Sequence, residues 1–173
     1  MTTVAEFSII EVLPKGQRVK IRALAPADRE DMLAAVGRTS TQSIYRRFFN
    51  VRRHFSEAEI SFFLNPDFVR HVALVAVVEQ NGKPFIAGGG RYVVIKPGQA
   101  EVAFAVVDQF HGQGIATALL RHLSSLARKA GLREFVAEVL AENAPMLKVF
   151  EKSGLEGTTR RESQTIHVVV RLA

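Results

Sequence analysis

The segment from Glu101 to Leu120, EVAFAVVDQFHGQGIATALL, constrains the fold more than any other part of the chain. An apolar run typical of a buried strand leads into a glycine-containing turn, and an amphipathic helical pattern follows directly. Gly112 and Gly114 allow backbone conformations that other residues avoid and let a ligand approach the main chain. The N–H groups at a helix start, together with the helix dipole, favour an anion. The segment therefore predicts a strand, an anion-binding turn and a helix, with a pyrophosphate as the natural ligand.

Other phosphate-binding loops fit this segment less well. A P-loop requires G-x-x-x-x-G-K-[ST], and no lysine follows the glycines here. A dinucleotide-binding loop requires G-x-G-x-x-G/A, but the third small position is occupied by Thr117. The flanking sequence also lacks the repeated parallel βαβ units of that fold. A dinucleotide site and a purely structural turn without a ligand both stay open at this point.

The rest of the chain predicts a mixed α/β (α+β) domain. Asn81-Gly82 is the preferred two-residue type I′ turn and joins two β-prone runs into a hairpin. Gly88 to Gly90 interrupt the second run, which predicts a bulge or a close backbone approach. Strands are predicted at Val19–Leu24, His71–Glu79, Phe85–Ile95, Glu101–Val107, Glu134–Leu140, Leu155–Arg161 and Thr165–Leu172. Helices are predicted at Pro26–Gly37, at Thr41–Phe49, from Ser56, at Gly114–Ala130 and between Asn143 and Gly154. We expect residues 1–173 to form a single domain, with a mostly antiparallel sheet of about seven strands flanked by helices.

Composition narrows the functional classes. The net charge is +6 with an isoelectric point near 10.1, which suits a solubilising basic surface, an anionic ligand or, less well, nucleic acid. The basic residues are scattered and form no stripe, so we expect no nucleic-acid partner. No cysteine is present, and the five histidines lack metal-ligand spacing. The N-terminus does not resemble a signal peptide, and the apolar run Val72–Val78 is too short to span a bilayer, so a cytoplasmic protein without a membrane partner is expected.

Two motifs resemble the GNAT superfamily of N-acetyltransferases. HGQGIA (residues 111–116) resembles the acetyl-CoA loop Q/R-x-x-G-x-G/A, with His111 in place of the usual Gln or Arg. NAPMLKVFEKSGL (residues 143–155) resembles the second element, N-x-x-x-x-x-x-Y-x-x-x-G-F, with Phe150 at the tyrosine position. The resemblance implies a GNAT fold with acetyl-CoA as co-substrate. It also implies cofactor contacts from Ala105, Val106, Val107, His111, Gly112, Gln113, Gly114, Ile115, Ala116, Thr117, Asn143 and Phe150.

A narrower resemblance covers about Ile21 to Leu155. SIYRRFF, RHVALVAV, EVAFAVV and EVLAENAPM are similar to the acetyltransferase domain of Pat-type bacterial protein lysine acetyltransferases. This implies a protein lysine as acceptor, with Tyr45, Arg46 and Arg47 either bordering its entrance or forming the face of an ordinary helix. Other acceptors stay open: a small amine, an antibiotic or a protein N-terminus. A non-catalytic acyl-CoA-binding module is a further alternative, and a monomer or a homodimer fits equally.

Amide formation requires a neutral amine, and only about one lysine in a few thousand is neutral at pH 7. A base is therefore useful, and the resemblance places Glu101 in that role; the alternative is a solvated glutamate at a strand edge. Glu138, on a neighbouring predicted strand, is the reserve candidate.

Alternative roles stay open for the other candidate site residues. Phe150 cannot donate a proton, so either water protonates the departing thiolate or the thiolate leaves without direct help. Asn143 suits a cofactor contact, a helix N-cap or both. His111 is either a phosphate-side donor or a surface residue, and we expect a structural role for His71.

Overall fold

The predicted strands form one mixed sheet. The computed structural model describes residues 4–32, 57–141 and 143–172, and within them eight strands pair in the order β1-β2-β3-β4-β5-β6-β8-β7. All neighbours are antiparallel except β5 and β6. The strands are β1 (Ser8–Val12), β2 (Arg18–Ala23), β3 (His71–Gln80), β4 (Lys83–Lys96), β5 (Gln99–Val106), β6 (Glu134–Leu140), β7 (Gly157–Glu162) and β8 (Thr165–Arg171).

Strand β1 is the eighth strand, which the sequence did not predict. It lies at the sheet edge and pairs with β2 alone. Its side chains Ile9, Ile10 and Val12 are exposed, so the segment shows no alternation between a buried and a polar face. Pairing with β2, rather than burial of its own side chains, places this segment in the sheet.

The β3–β4 hairpin confirms the predicted turn. Asn81 and Gly82 both adopt positive φ, at 52° and 75°, as a type I′ turn requires. The pairing register shifts at Ala76/Val77, opposite the glycines of β4, which confirms the predicted bulge. A close approach occurs as well, because a Cβ added at Gly90 would lie 2.7 Å from Cδ1 of Phe104 and 3.1 Å from Cδ1 of Leu123.

Three α-helices lie within the described residues: α1 (Glu57–Leu64), α2 (Ile115–Lys129) and α3 (Ala144–Lys152). Helix α2 packs on the sheet face that carries Phe104, which we call the α2 face. The helical periodicity predicts one apolar face made of Ile115, Leu119, Leu123, Leu126 and Ala130. The first three are buried and Leu126 is half-buried, but Ala130 is exposed and Ala127 is buried instead. Ala130 lies past the last helical residue, where the predicted periodicity no longer applies.

The chain after β2 is described only in part. Pro26–Asp28 forms a 3-10 turn, and helical backbone follows to residue 32. Three predictions lie outside the described residues: the rest of the helix predicted to Gly37, the helix Thr41–Phe49 and the helix start at Ser56. In the 3-10 turn, burial raises the pKa of Asp28, but two hydrogen bonds from Arg22 and one from Ala25 outweigh it and hold the pKa below its usual value. This ion pair fixes the turn to the end of β2.

The β5–β6 pair prepares an opening in the sheet. These parallel strands share three paired positions, of which the last is Glu101 opposite Val136. Strand β5 continues to Val106 and β6 to Leu140 without further pairing to each other, so the two strands diverge. The edges of β5 and β6 that face each other then border an opening in the sheet, and the loop that leads to α2 follows directly from β5.

Candidate functional site: an anion-binding loop beside a strand opening

The loop between β5 and α2 has the conformation that its glycines predicted. After the 3-10 turn Asp108–Phe110, Gly112 and Gly114 adopt φ of 77° and 93°. Gly114 is the N-cap of α2, and no side chain caps this helix start. The first helical hydrogen bond runs from the N–H of Ala118 to the oxygen of Gly114, so the N–H groups of residues 115–117 precede the helical ladder. These N–H groups are oriented as an anion site requires.

A cavity of about 990 Å³ lies against this helix start. Its walls come from the β5–α2 loop, the turn after β1 and helix α3. The cationic side chains around it are Lys15, Arg121, Lys148 and Lys152, and the acidic ones are Glu11 and Asp108. Arg121 is paired with Glu11 at 2.9 Å, while the three lysines add positive potential to that of the helix dipole. The cavity suits an elongated anionic ligand larger than phosphate alone.

The His111 side chain folds back on its own loop. Its Nε2 lies 2.8 Å from the carbonyl oxygen of Val106 and 3.6 Å from Asp108. Since a carbonyl only accepts, Nε2 carries the proton and donates to Val106. The ring thereby ties the loop to the end of β5, and this contact gives His111 a structural task at the cavity wall.

A second, narrow cleft of about 20 Å³ lies between the diverging strands. It has room for about one water molecule. Asn143 and Met146 line both the cleft and the large cavity, so the two spaces adjoin. Phe150 is buried at the cleft and packs edge-on against Phe104, with ring centroids 6.1 Å apart. The cleft therefore connects the anion-binding cavity with the strand opening.

Glu101 lies where β5 and β6 separate. It is 8% exposed and immediately precedes Val102, which lines the cleft. The alternation along β5 places Glu101 on the face opposite α2, together with the β4 residue Arg91 and the β3 residue His71. His71 and Arg91 are 5% and 9% exposed, so three polar groups are buried side by side. The alternative of a solvated glutamate at a strand edge is thus excluded for Glu101, whereas its role as the base remains a prediction.

The His71–Arg91 contact fixes the state of the histidine. Nη1 of Arg91 lies 2.7 Å from Nε2 of His71, and because a guanidinium only donates, His71 accepts there and is neutral. The ring of Phe62 stacks on His71 at 4.5 Å. Hydrogen bonds from the backbone N–H groups of Val69, His71 and Arg70 hold the pKa of Asp67 below its usual value. These contacts give His71 the structural role that we expected.

Glu138 lines the cleft from β6 and has a partner that sequence reasoning missed. Nδ1 of His167 on β8 lies 2.7 Å from Oε1 of Glu138, and the two residues are register partners. Continuing the register of Glu101 and Val136 by two residues places Glu138 across the opening from Ala103. The alternation of side chains along β8 could have indicated that His167 faces Glu138, but only if the β6–β8 register had been known. The structure therefore brings two carboxylates, Glu101 and Glu138, to the two sides of the opening.

The structure brings most of the other predicted site residues to the large cavity. Its lining includes Val106, His111, Gly112, Gln113, Gly114, Ile115, Ala116, Thr117 and Asn143. Ala105 pairs with Gly89, and Val107 donates its N–H to Ala87 and is buried; neither is among the lining residues of the two spaces. Lys15 and Met146 were not predicted, since nothing local marks them. Tyr45, Arg46 and Arg47 lie outside the described residues.

Within the described part of the chain, no three His, Asp or Glu side chains lie together as metal ligands. No helix in the same ranges is long and apolar enough to cross a membrane.

The fold and the site together define a coenzyme-A-dependent acyltransferase: a parallel strand pair opens beside a cationic cavity at a glycine-capped helix start. The sequence model described as "Acetyltransferase (GNAT) domain" matches residues 18–156. The chain belongs to this GNAT family, whose members transfer an acetyl group from acetyl-CoA to an amine.

Individual relatives agree with this assignment. A Pseudomonas aeruginosa protein named as an acetyltransferase is 30% identical over 165 residues, which cover 95% of this chain and 88% of the relative. The acetyltransferase Pat of Mycolicibacterium smegmatis is 32% identical over 143 residues, or 80% of this chain and 41% of that protein. The crystal structure of the GNAT domain of S. lividans PAT superposes with a TM-score of 0.82 at 32% identity, covering 95% and 96% of the two chains. This chain thus spans less than half of the M. smegmatis protein.

Proposed function

We propose that this acetyltransferase transfers the acetyl group of acetyl-CoA to the side chain of a protein lysine, by direct attack in a ternary complex. The observation that carries the proposal is the position of Glu101, a buried carboxylate where β5 and β6 separate, beside a cleft that adjoins the cationic cavity. The Pat-like segments support lysine as the acceptor, as do the similarities to M. smegmatis Pat and the S. lividans domain.

The residues around the large cavity fit the anionic end of coenzyme A. The N–H groups between Gly112 and Thr117 would hold the pyrophosphate, and Lys15, Lys148 and Lys152 would compensate its charge. The pantetheine arm would then run along the end of β5 in the manner of an added strand, beside Val106, which lines the large cavity. Asn143 and Met146, which border both spaces, would contact the arm near the thioester.

The chemistry requires a neutral amine beside the thioester. With an unperturbed pKa of about 10.4, a lysine reaches the site mostly as an ammonium ion. Glu101 would accept that proton, directly or through one water molecule, while the amine attacks the thioester carbonyl. Main-chain N–H groups at the end of β5 would polarise the carbonyl oxygen. Glu138 is the carboxylate that lines the cleft itself, on the side of the opening formed by β6.

A pair of matched peptides tests the acceptor class. One peptide carries a blocked N-terminus and a single lysine; the other has the same sequence with a free N-terminus and an acetylated lysine. With acetyl-CoA we expect mass spectrometry to show one added acetyl group on the first peptide only, together with equivalent release of free thiol. A polyamine such as spermidine serves as the small-amine comparison.

The other outcomes exclude the proposal in distinct ways. Modification of the free N-terminus, or turnover of the polyamine alone, would assign a different acceptor class. Calorimetric titration with acetyl-CoA, using NAD as the control ligand, identifies the remaining alternative. Saturable binding without transfer to any acceptor would make the chain an acyl-CoA-binding module rather than an enzyme.

A further inference from the structure

The cleft lacks an acid at the position where related enzymes carry one. The second GNAT motif has a tyrosine, whose hydroxyl can donate a proton, where this chain has Phe150, which cannot and which is buried against Phe104. Tyr92, the tyrosine within the described residues, does not supply the missing hydroxyl group at the cleft. Tyr92 is 1% exposed on the α2 face and packs against Phe135, and burial raises its pKa to about 12.

Glu138 reaches the same cleft from the other side of the sheet. Phe104 lies on the α2 face, and the alternation of β5 and β6 places Ala103 and Glu138 on the opposite face. Residues of both faces line the cleft, because it passes between the diverging strands. An atom held between the strands is therefore accessible to Phe150 from one side and to Glu138 from the other.

His167 continues this contact away from the cleft. Its Nδ1 lies 2.7 Å from Oε1 of Glu138, and the two side chains are 24% and 17% exposed. A histidine at this exposure exchanges protons with water through its second ring nitrogen. Of the described residues on the paired strands, the other charged group opposite His167 is Arg160, which forms an ion pair with Glu162 at 2.7 Å. Glu138 and His167 thus form a chain of two titratable groups between the cleft and solvent.

We propose that Glu138 and His167 form a proton relay that protonates the departing thiolate of coenzyme A, in place of the hydroxyl group that Phe150 lacks. The proposal rests on the acetyl transfer inferred above but not on the identity of the amine. Glu138 would be the catalytic residue, because it lines the cleft, and His167 would act through it.

The relay transfers one proton to the sulfur atom of coenzyme A. Glu138 donates its proton to the sulfur as the carbon–sulfur bond breaks and the electron pair of that bond stays on sulfur. His167 restores the Glu138 proton from Nδ1 and takes a proton from water at Nε2. The nitrogen loses two protons, one as the ammonium ion becomes the amine and one as the amide forms; Glu101 accepts them in turn and releases each to solvent.

The test combines two substitutions and measures kcat on whichever primary amine the wild-type protein acetylates. His167→Gln keeps a hydrogen-bond donor for Glu138 but cannot relay a proton, and we expect kcat to fall about tenfold at pH 7.5 with unchanged acetyl-CoA affinity. Phe150→Tyr supplies a hydroxyl at the cleft and should restore His167→Gln to within about threefold of wild type.

The rescue by Phe150→Tyr is a readout that a structural role for His167 would not move, because a hydroxyl at position 150 restores a proton donor and not the packing around His167. Two results would overturn the relay: wild-type kcat in His167→Gln, or a folded double variant that Phe150→Tyr does not rescue. A raised KM for the amine at constant kcat would also overturn it and assign the pair to acceptor binding. Failure of the lysine peptide alone affects only the acceptor proposal.

Discussion

The two ends of the site depend on different kinds of chemical group: main-chain groups at one end and side chains at the other. At the anion-binding end, main-chain N–H groups, two glycines with positive φ and a helix dipole provide the interactions. At the proposed transfer end, the side chains of Glu101, Glu138 and His167 would provide them, and strand register holds these residues in place. A main-chain site tolerates many side-chain changes but no added bulk, whereas a side-chain site keeps its shape and loses its chemistry when one atom is replaced. Substitutions at the two ends should therefore fail in different ways.

Gly114→Glu should produce the largest effect. A Cβ at this position would lie 3.3 Å from Cδ of Pro14, φ is 93°, and the carboxylate would face the bound pyrophosphate. We expect calorimetry to show acetyl-CoA affinity reduced by about 100-fold or more. Gln113→Ala is the matched control, because it removes a side chain from the same loop and keeps every N–H group. Equal losses in both variants would mean that side chains, not the main chain, hold the anion.

Gly90→Ala tests how the anion-binding end is held on the sheet. The added Cβ would lie 2.7 Å from a Phe104 ring carbon and 3.1 Å from Leu123 of α2, inside the core. We expect the free energy of unfolding to fall by about 1–3 kcal/mol in denaturant titrations, as in other overpacked cores. At Gly89, on the other face, the nearest atom would be the Leu74 oxygen at 3.3 Å. Gly89→Ala should therefore cost less, and a reversed order would contradict this packing account.

Glu101→Gln tests the transfer end alone. The amide keeps the size of the side chain but cannot accept the amine proton, so kcat should fall by at least about tenfold, or about 1.4 kcal/mol in the barrier. Acetyl-CoA affinity should stay within about threefold, because no charge at the anion-binding end changes. The control is Glu134→Gln, which alters a β6 carboxylate that accepts a hydrogen bond from Gln99 at the start of the strand. Wild-type turnover in Glu101→Gln would exclude it as the base.

The two ends also differ in how far the sequence predicted them. The loop, the start of α2 and the Asn81-Gly82 turn were predicted correctly, because glycine positions and helical periodicity are local signals. The Glu138–His167 contact joins residues 29 positions apart, and it depends on a β6–β8 register that no local pattern encodes. The same reason explains why Pro14 was missed at Gly114: strand β1 is exposed and shows no alternating pattern.

Asn143 stands between the two ends, and its substitution should have the smallest effect. Its Oδ1 accepts a hydrogen bond from the N–H of Met146 at 3.3 Å, which caps α3, and the residue lines both spaces. Asn143→Ala should lower the free energy of unfolding by about 1 kcal/mol through loss of the cap. It should also weaken acetyl-CoA binding by about threefold if the amide contacts the ligand as the GNAT motif implies.

Asn143→Ser separates these two contributions, because serine caps a helix about as well as asparagine but lacks the amide. We expect this variant to keep the wild-type unfolding free energy and still to bind acetyl-CoA about threefold more weakly. Recovery of both quantities in the serine variant would reduce Asn143 to a cap. The ligand's hydrogen bonds at the anion-binding end would then come from main-chain N–H groups, with the three cavity lysines adding charge, whereas the proposed transfer end would still depend on individual side chains.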